Sequence, residues 1–441
     1  MIKQLVKNLF QYEARLVLKK YKPKIIAITG SVGKTTTRDF LYSILSKKFF
    51  VRKSEKSIAT GLGVMLTVIG RPSTEIAFVL RTSSFFSTIF QFLATLFFGL
   101  KLLLWKSDYP DWLILEIDAD KIGDVDSVSG WLTIDILVVT AVGSVPSHIE
   151  AFESDLGKFL LEKKKLLDSV SRDGIIVYNN DDQTVCHLIS LSPLQKISCG
   201  LGGDSDVRGT DFEILMSNGD LPKPIGMKFE IISGNEKITA TIMDSVGIHN
   251  EYATLLSFAV ADLLNVSLSD CVKTIEKSPL LPGRMKIIAG LKDSTIIDDS
   301  YNSSPIAVRE AVEVFGRVRS ERKIAVIGDM LELGKYSADE HREVGRLLVP
   351  VAQYVVCVGL RARRVAESML SLSYDEEKIS CFDGMDEAGD FLRNFIGPGD
   401  LILVKGSQAM RLEKVVEEIM RHPEDAKNLL VRQEPEWLSR H

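Results

Sequence analysis

None of the five cysteines (Cys186, Cys199, Cys271, Cys357 and Cys381) stands in a CxxC pair. Their odd number and wide scatter exclude a zinc ribbon and a disulfide framework, and read as reduced, buried thiols of a cytosolic protein. An excess of positive charge is missing too. The 54 Lys and Arg are outnumbered by 59 Asp and Glu, for a net charge of −5. That balance argues against a nucleic-acid binder working by bulk charge, and no nucleic-acid partner is expected. The opening MIKQLVKNLFQYEARLVLKK lacks a long apolar core and a small-residue cleavage site. It reads as an amphipathic helix and not as a signal peptide. Internal repeats and low-complexity tracts are absent. What remains is 45% hydrophobic and 26% charged, the composition of a folded globular protein. At 441 residues it exceeds one ordinary core, so two or three domains are expected.

From Lys24 onward, short apolar runs alternate with helical text. The runs IIAITG, WLILEID, DILVVTAV and GIIVYN are strands of the kind buried on both faces, which places the chain in the α/β class with a mostly parallel sheet. Between Gly202 and Asp244 turn residues separate alternating segments, the pattern of antiparallel strands at the edge of the same domain. The stretch SPLLPGRMK, with Pro279, Pro282 and Gly283 as breakers, reads as a linker. The α/β alternation then restarts with STIIDDSYN, KIAVIGDM, YVVCVGL and DLILVKGS. The expected division is an N-terminal helix over 1–22, a central domain over 23–284 and a C-terminal nucleotide-binding-like α/β domain over 285–441.

One stretch departs from this plan. SSFFSTIFQFLATLFFGLKLLLW, residues 83–105, is almost wholly apolar, with Gln91 and Lys101 as its strongly polar breaks. It is long enough to span a bilayer. A single crossing would place the glycine-rich loop and the residues after Trp105 on opposite sides of the membrane. Two readings therefore stand. The stretch contacts a membrane surface, with Lys101 and Lys106 reaching the headgroups, or it is a buried, protein-facing helix.

The glycine-rich loop TGSVGKTTT follows the first strand. Gly30 and Gly33 allow a tight turn, and the backbone of Gly30, Ser31 and Gly33 can point N–H groups at phosphate oxygens. Lys34 would neutralise the β- and γ-phosphates, Thr35 would offer its hydroxyl to Mg²⁺, and Thr36 would extend the cradle. Ile28 occupies the place of the first glycine of the usual phosphate-loop pattern, so the loop is a shortened variant. Alone, such a loop does not separate kinase, GTPase, motor and ligase.

The loop is followed, in order, by LEIDADKIGDVD, SHIEAFES, GIHN, LPGR, DDSYNSSP, IGDMLELG and LVKGS. This series resembles the Mur ligase family, ATP-dependent amide-bond-forming enzymes of peptidoglycan synthesis, over roughly Lys24 to Ile419. Within the family it is most like the members that add D-alanyl-D-alanine to UDP-N-acetylmuramoyl-tripeptide. The resemblance implies a central P-loop ATPase domain with a C-terminal Rossmann-like domain. It also implies ATP and Mg²⁺ as cofactors, and a reaction in which a carboxylate takes the γ-phosphoryl group and the resulting acyl phosphate is captured by an amine. By the same resemblance Glu116 and His148 take Mg²⁺-ligand positions beside Thr35. One of Lys163, Lys164 and Lys165, with Lys163 favoured, takes the place of a carbamylated lysine that serves the metal. Asn250 falls on the adenine side, with Ala253 where a second asparagine is expected. Arg284 meets the nucleotide phosphates, and Asp298, Asp299 and Tyr301 close over the nucleotide. Asn302, Ser303, Lys405 and Ser407 face the substrates.

The resemblance also implies partners: a muramoyl-peptide carboxylate, and D-alanyl-D-alanine or another amine. Only about one helix precedes the loop strand, so the UDP-sugar-binding domain of those enzymes is not expected here. A partner protein or a membrane-held substrate would then take its place. The expected location is the cytoplasm, with peripheral attachment to the inner membrane face as its variant. Two other readings remain. One is a related ligase acting on a lipid-linked or other carboxylate. The other is a membrane-associated ATP switch that does not ligate.

Overall fold

The computed structural model describes residues 2–55, 61–72, 85–190 and 192–438, and side chains within them except at 2–6, 85–89 and 436. Two sheets organise the chain. The first contains β1 (Lys24–Thr29), β2 (Val51–Lys53), β3 (Trp112–Glu116), β4 (Ile134–Val139), β5 (Val170–Asn179), β6 (Gln195–Gly200), β7 (Val207–Met216), β8 (Pro224–Ser233) and β9 (Glu236–Met243). Its order is β2-β3-β1-β4-β5-β6-β7-β8-β9. All pairs up to β6–β7 are parallel, and β7–β8 and β8–β9 are antiparallel. The turn-rich text after Gly202 thus forms the antiparallel edge that its alternation predicts.

The second sheet contains β10 (Lys286–Ala289), β11 (Thr295–Asp299), β12 (Arg322–Gly328), β13 (Tyr354–Val358), β14 (Ile379–Phe382) and β15 (Asp400–Lys405). They are ordered β10-β11-β15-β12-β13-β14. Only β10 runs antiparallel to its neighbour. Both central strands, β1 and β15, are buried from end to end apart from Lys24. Helices cover both faces, so side chains pointing either way must be apolar, which is why these strands read as continuous runs.

Three of the five cysteines are buried, as expected: Cys199, Cys271 and Cys357. Cys381 is exposed because β14 is the outermost strand of its sheet, and Cys186 is half-buried.

The N-terminal text forms the helix Ile2–Tyr21, and most of the apolar stretch forms the helix Phe85–Leu104. Ser83 and Ser84 lie outside the described residues. Among the described residues no helix is long and apolar enough to cross a membrane. The two helices meet along one face, where Phe10 lies 5.8 Å from Phe92 between ring centroids. The expectation of a wholly buried helix fails on the other face, where Phe90, Leu93 and Phe97 are exposed.

At the seam the carboxyl of Glu13 lies against Gly99, and burial pushes it up to about 7 from 4.5. A carboxyl that holds its proton more tightly folded than unfolded costs stability as pH rises from about 4.5 to about 7. Glu13→Gln removes that cost. Its melting temperature is expected to exceed that of the parent at pH 8 and to converge with it near pH 5. Parallel melting curves at both pH values would refute a buried carboxyl here.

Candidate functional site

The carboxyl ends of β1, β3 and β4 lie side by side because β1 is flanked by the other two, with Ile28 in register with Glu116 and Thr29 with Val139. In a parallel α/β sheet such ends gather the loops that bind ligands. The loop after β1 turns at Gly30, where φ is +144° and an added Cβ would lie 2.0 Å from Thr140 Oγ1. The backbone N–H groups of Ser31 and Val32 donate to Ala141 O, at 2.6 and 3.1 Å, which pins the loop to the segment after β4. The expectation that the Ser31 N–H points at phosphate is corrected by that bond, and the N–H groups from Gly33 onward are the ones that open to the cleft. Gly33, at φ +86°, caps the helix Lys34–Leu45, so the first turn of that helix opens into the cleft. This is the geometry of an anion cradle. Thr36, in the same turn, is buried and its Oγ1 has no partner among the described residues.

Lys34 donates to Gly30 O at 2.9 Å and pairs with Asp118 at 2.9 Å. Burial opposes its charge, yet the net shift is strongly upward because Asp118, Glu116 and Asp120 surround it. Glu116 is the meeting point of the cluster. Its Oε1 accepts from Thr35 Oγ1 and its Oε2 from Arg38, each at 3.0 Å. Burial raises its carboxyl, and the buried Arg38 guanidinium opposes that rise.

Asp155 caps the helix Leu156–Leu167 by accepting from Gly157 and Lys158 N–H. That helix places the three adjacent lysines in different surroundings. Lys163 is buried, with its Nζ 3.1 Å from Thr29 Oγ1, while Lys164 is exposed and Lys165 bonds to Asp126 and Glu162. Burial, aided by the nearby Lys34 charge, lowers Lys163 to about 8. An amine so placed is partly neutral near neutral pH.

The second sheet supplies the opposite wall. Arg284 stacks on Tyr301, 4.2 Å from the ring centroid, and its NH2 reaches Thr35 Oγ1 at 3.4 Å. Asp299 and Lys405 are register partners on β11 and β15, which sets up their 2.6 Å ion pair in a buried position. Lys405 also donates to Asn302 O at 3.0 Å. The start of the helix Pro305–Arg317 faces the cleft, and Ser303 Oγ beside it has no partner among the described residues. Burial lowers the His249 imidazole to about 3, with Arg284 and Lys405 adding to the shift.

The cleft is open to solvent, and its empty space, solvent at the mouth included, is about 1240 Å³. Of the residues singled out in the sequence, it is lined by Gly30, Ser31, Gly33, Lys34, Thr35, Glu116, His148, Lys163, Arg284, Asp299, Tyr301, Asn302, Ser303 and Lys405. Four others do not line it. Thr36 is buried within the first turn of the helix Lys34–Leu45. Asn250 is buried and donates to Ser245 Oγ at 3.0 Å. Asp298 points away from Asp299 on its strand and accepts from Ser300 N–H. Ser407 accepts from Leu331 N–H at 2.9 Å.

Sequence reasoning missed Asp118, Asp120, Arg38, Glu310 and Glu332. The period of two in E-I-D-A-D carried a signal for the first two, since alternate residues of an extended segment share one side. Burial raises Glu310 to about 8, with the Lys405 charge opposing. Glu332 comes from the loop after β12 and pairs with His148 Nδ1. Around it, Glu150 N–H donates to Glu332 O at 3.1 Å, and Lys335 N–H to Ser154 Oγ at 3.3 Å. The second sheet thereby rests on the segment that carries His148.

Among the described residues no three His, Cys, Asp or Glu side chains converge as a complete metal cage. Mg²⁺ ordinarily takes one or two protein oxygens and completes its shell with water and phosphate. Glu116 and Thr35, 3.0 Å apart at the mouth of the anion cradle, fit that role.

Comparison with known proteins agrees with this architecture. Residues 28–261 match the Mur ligase middle domain, and residues 283–408 match the Mur ligase glutamate ligase domain. Among curated relatives, the UDP-N-acetylmuramoyl-tripeptide–D-alanyl-D-alanine ligase of Bacillus subtilis is 24% identical over 94% of this chain and 79% of its own length. The enzyme of the same name from Rickettsia prowazekii is 26% identical over 94% of this chain and 82% of its own. Among solved structures, MurF from Acinetobacter baumannii superimposes with a TM-score of 0.73 at 25% identity, over 92% of this chain and 79% of that one. MurF from Thermotoga maritima in complex with ADP gives 0.72 at 23% identity, over 94% and 83%. Since the middle-domain match alone spans more than half of the 441 residues, the chain belongs to the Mur ligase family.

Proposed function

We propose that the chain is an ATP-dependent ligase that joins D-alanyl-D-alanine to the terminal carboxylate of a UDP-N-acetylmuramoyl-tripeptide. The observation that carries this reading is the single cleft that brings Lys34, Glu116 and Lys163 from the first sheet to face Arg284, Asn302 and Lys405 from the second. The names of the curated relatives point to the same reaction.

In this reading the loop turned at Gly30 and Gly33, and braced through Ser31, seats the phosphates of ATP on the first turn of the helix Lys34–Leu45, and Lys34 and Arg284 hold the charge of the transferred group from two sides. Thr35, Glu116 and His148 would hold Mg²⁺, which would supply positive charge to neutralise the phosphates. The acceptor carboxylate oxygen bonds to the γ-phosphorus and ADP departs. The amine nitrogen then bonds to the acyl carbon, phosphate leaves, and the nitrogen loses its proton. Positioning and charge neutralisation do most of this work, so no protein nucleophile is required. Asp299 and Tyr301 flank the nucleotide, with Asn250 and Asp298 supporting from behind. Asn302, Ser303 and Lys405 lie toward the amine, with Ser407 bracing their loop. The same reading keeps residues 1–22 as an appended helix, 23–284 as the ATP-holding part and 285–441 as the closing part.

Lys163 is assigned as the carbamylated lysine. Its neutral amine adds to CO₂ and loses a proton, so a cation becomes a carboxylate-like group beside the metal position. Its burial and lowered value near 8 support this chemistry. In CO₂-free buffer the rate is expected to fall and to return with bicarbonate, whereas Lys163→Gln stays slow under both conditions.

The function is tested by mass spectrometry after incubation with ATP, Mg²⁺, UDP-N-acetylmuramoyl-tripeptide and D-alanyl-D-alanine. The expected product has gained the dipeptide less one water, with matching release of ADP and phosphate. ATP hydrolysis indifferent to both substrates would instead favour a non-ligating switch.

A further inference from the structure

Among the described residues, the helices Ile2–Tyr21 and Phe85–Leu104 contribute none to the cleft. They pack side by side and parallel. Phe10 meets Phe92, Glu13 meets Gly99, and Lys20 and Tyr21 donate to Leu102 O at 2.7 and 2.8 Å. This seam occupies one face of Phe85–Leu104, where Thr95 and Leu102 are buried.

The opposite face is apolar and open to solvent. Phe90, Leu93, Phe97 and Leu104 are 69, 60, 65 and 64% exposed, and Trp105 beyond the helix end is 57% exposed. Steps of three, four and seven residues put the four helical side chains in one stripe. Exposed large apolar groups are ordinary when scattered, but a continuous stripe marks a surface that is covered in use.

Charge identifies the cover. Lys101, one turn after Phe97, falls within the stripe and is the only ionisable residue of its helix. Lys106 follows Trp105 and is exposed. The helix Ile2–Tyr21 carries five Lys and Arg residues and a single acid, Glu13, which is buried in the seam. Neither helix therefore presents a carboxylate to solvent, in a chain whose net charge is −5. Asp108, exposed two residues after Lys106, is the nearest carboxylate along the chain and lies beyond both helices. Apolar and aromatic side chains beside the cations of the two helices are the complement of a negatively charged lipid surface, where lysine stems follow the apolar layer and ammonium groups reach phosphate. Tyr12, 63% exposed, and Trp105 are residue types favoured at that boundary.

We propose that the outer face of the helix Phe85–Leu104, with Lys101 and Trp105, lies in the headgroup layer of an anionic phospholipid bilayer. The helix lies in the plane of the surface, about 30 Å long. This goes beyond the ligase reading and does not depend on it.

The test is flotation of the full chain with vesicles of phosphatidylcholine alone or mixed with phosphatidylglycerol. The protein is expected to float with the mixed vesicles, to remain below with the neutral ones, and to be released by high salt. The double variant Phe97→Ser, Leu104→Ser is expected to bind at least about tenfold more weakly, with unchanged circular dichroism and ATP hydrolysis. Should that variant not fold, Lys101→Glu, a change at an exposed position, carries the test through loss of binding to the mixed vesicles. The proposal is overturned if the parent stays below with mixed vesicles, or if the variants float as the parent does. It is equally overturned if the parent forms a dimer that the double variant abolishes, since a second copy would then cover the stripe.

Discussion

Lys34→Met is expected to lower kcat of the ATP-dependent reaction by about a thousandfold, the upper range for loss of one preorganised charge at a developing oxyanion. Methionine matches the length of the lysine stem and keeps its packing, so the change isolates the charge. That charge is well secured, because Asp118, Glu116 and Asp120 hold the ammonium protonated against the effect of burial. The Gly30 O contact at 2.9 Å fixes where it points. The loss belongs mainly in kcat, since the loop backbone still seats the phosphates. Steady-state release of phosphate and product, measured across ATP concentrations, checks this. A loss below about tenfold would mean that Lys34 serves the carboxylates around it and not the transferred phosphoryl group.

The second large effect is on stability. Arg38 is among the largest fully buried side chains, and its guanidinium joins Glu116 at 3.0 Å and Asp39 at 2.8 Å. Arg38→Met leaves the buried Glu116 without its main countercharge. Removing one partner of such a pair costs about 3–5 kcal/mol. The measurement is a shift in denaturant midpoint at constant slope. Arg38→Met combined with Glu116→Leu should recover part of the loss, because no orphaned charge remains. Equal stability of the parent and Arg38→Met would show that Lys34 alone balances Glu116.

Much of the site was legible because its residues follow apolar runs. Glu116 ends β3, His148 follows β4, and the glycine loop ends β1, so strand periodicity and motif order located them together. Lys163 was favoured among three adjacent lysines, but the sequence held nothing to fix the choice, which depends on which way the helix Leu156–Leu167 is rotated. Arg38 carried no signal at all. It stands four residues after Lys34 on a helix, where an arginine ordinarily faces water, and only the packing of β3 against that helix buries it. Glu332 was visible inside IGDMLELG, yet its partner His148 lies in the segment after β4 of the first sheet, and pairing across such a distance in sequence leaves no periodic trace. The apolar stretch failed for a different reason. Both faces of Phe85–Leu104 are apolar, so hydrophobicity could not separate the face that meets Phe10 from the face that meets solvent.

The contact between the two sheets near His148 has a practical use. Two of its bonds are donated by main-chain amides, Glu150 to Glu332 O and Lys335 to Ser154 Oγ. Whenever the sheets swing apart, both amides are released to water at once, whatever side chains flank them. Deuterium uptake at Glu150 and Lys335 is therefore a clock for opening that needs no substrate turnover. Slower uptake with nucleotide bound would time the shutting of the two halves separately from the chemistry they enclose.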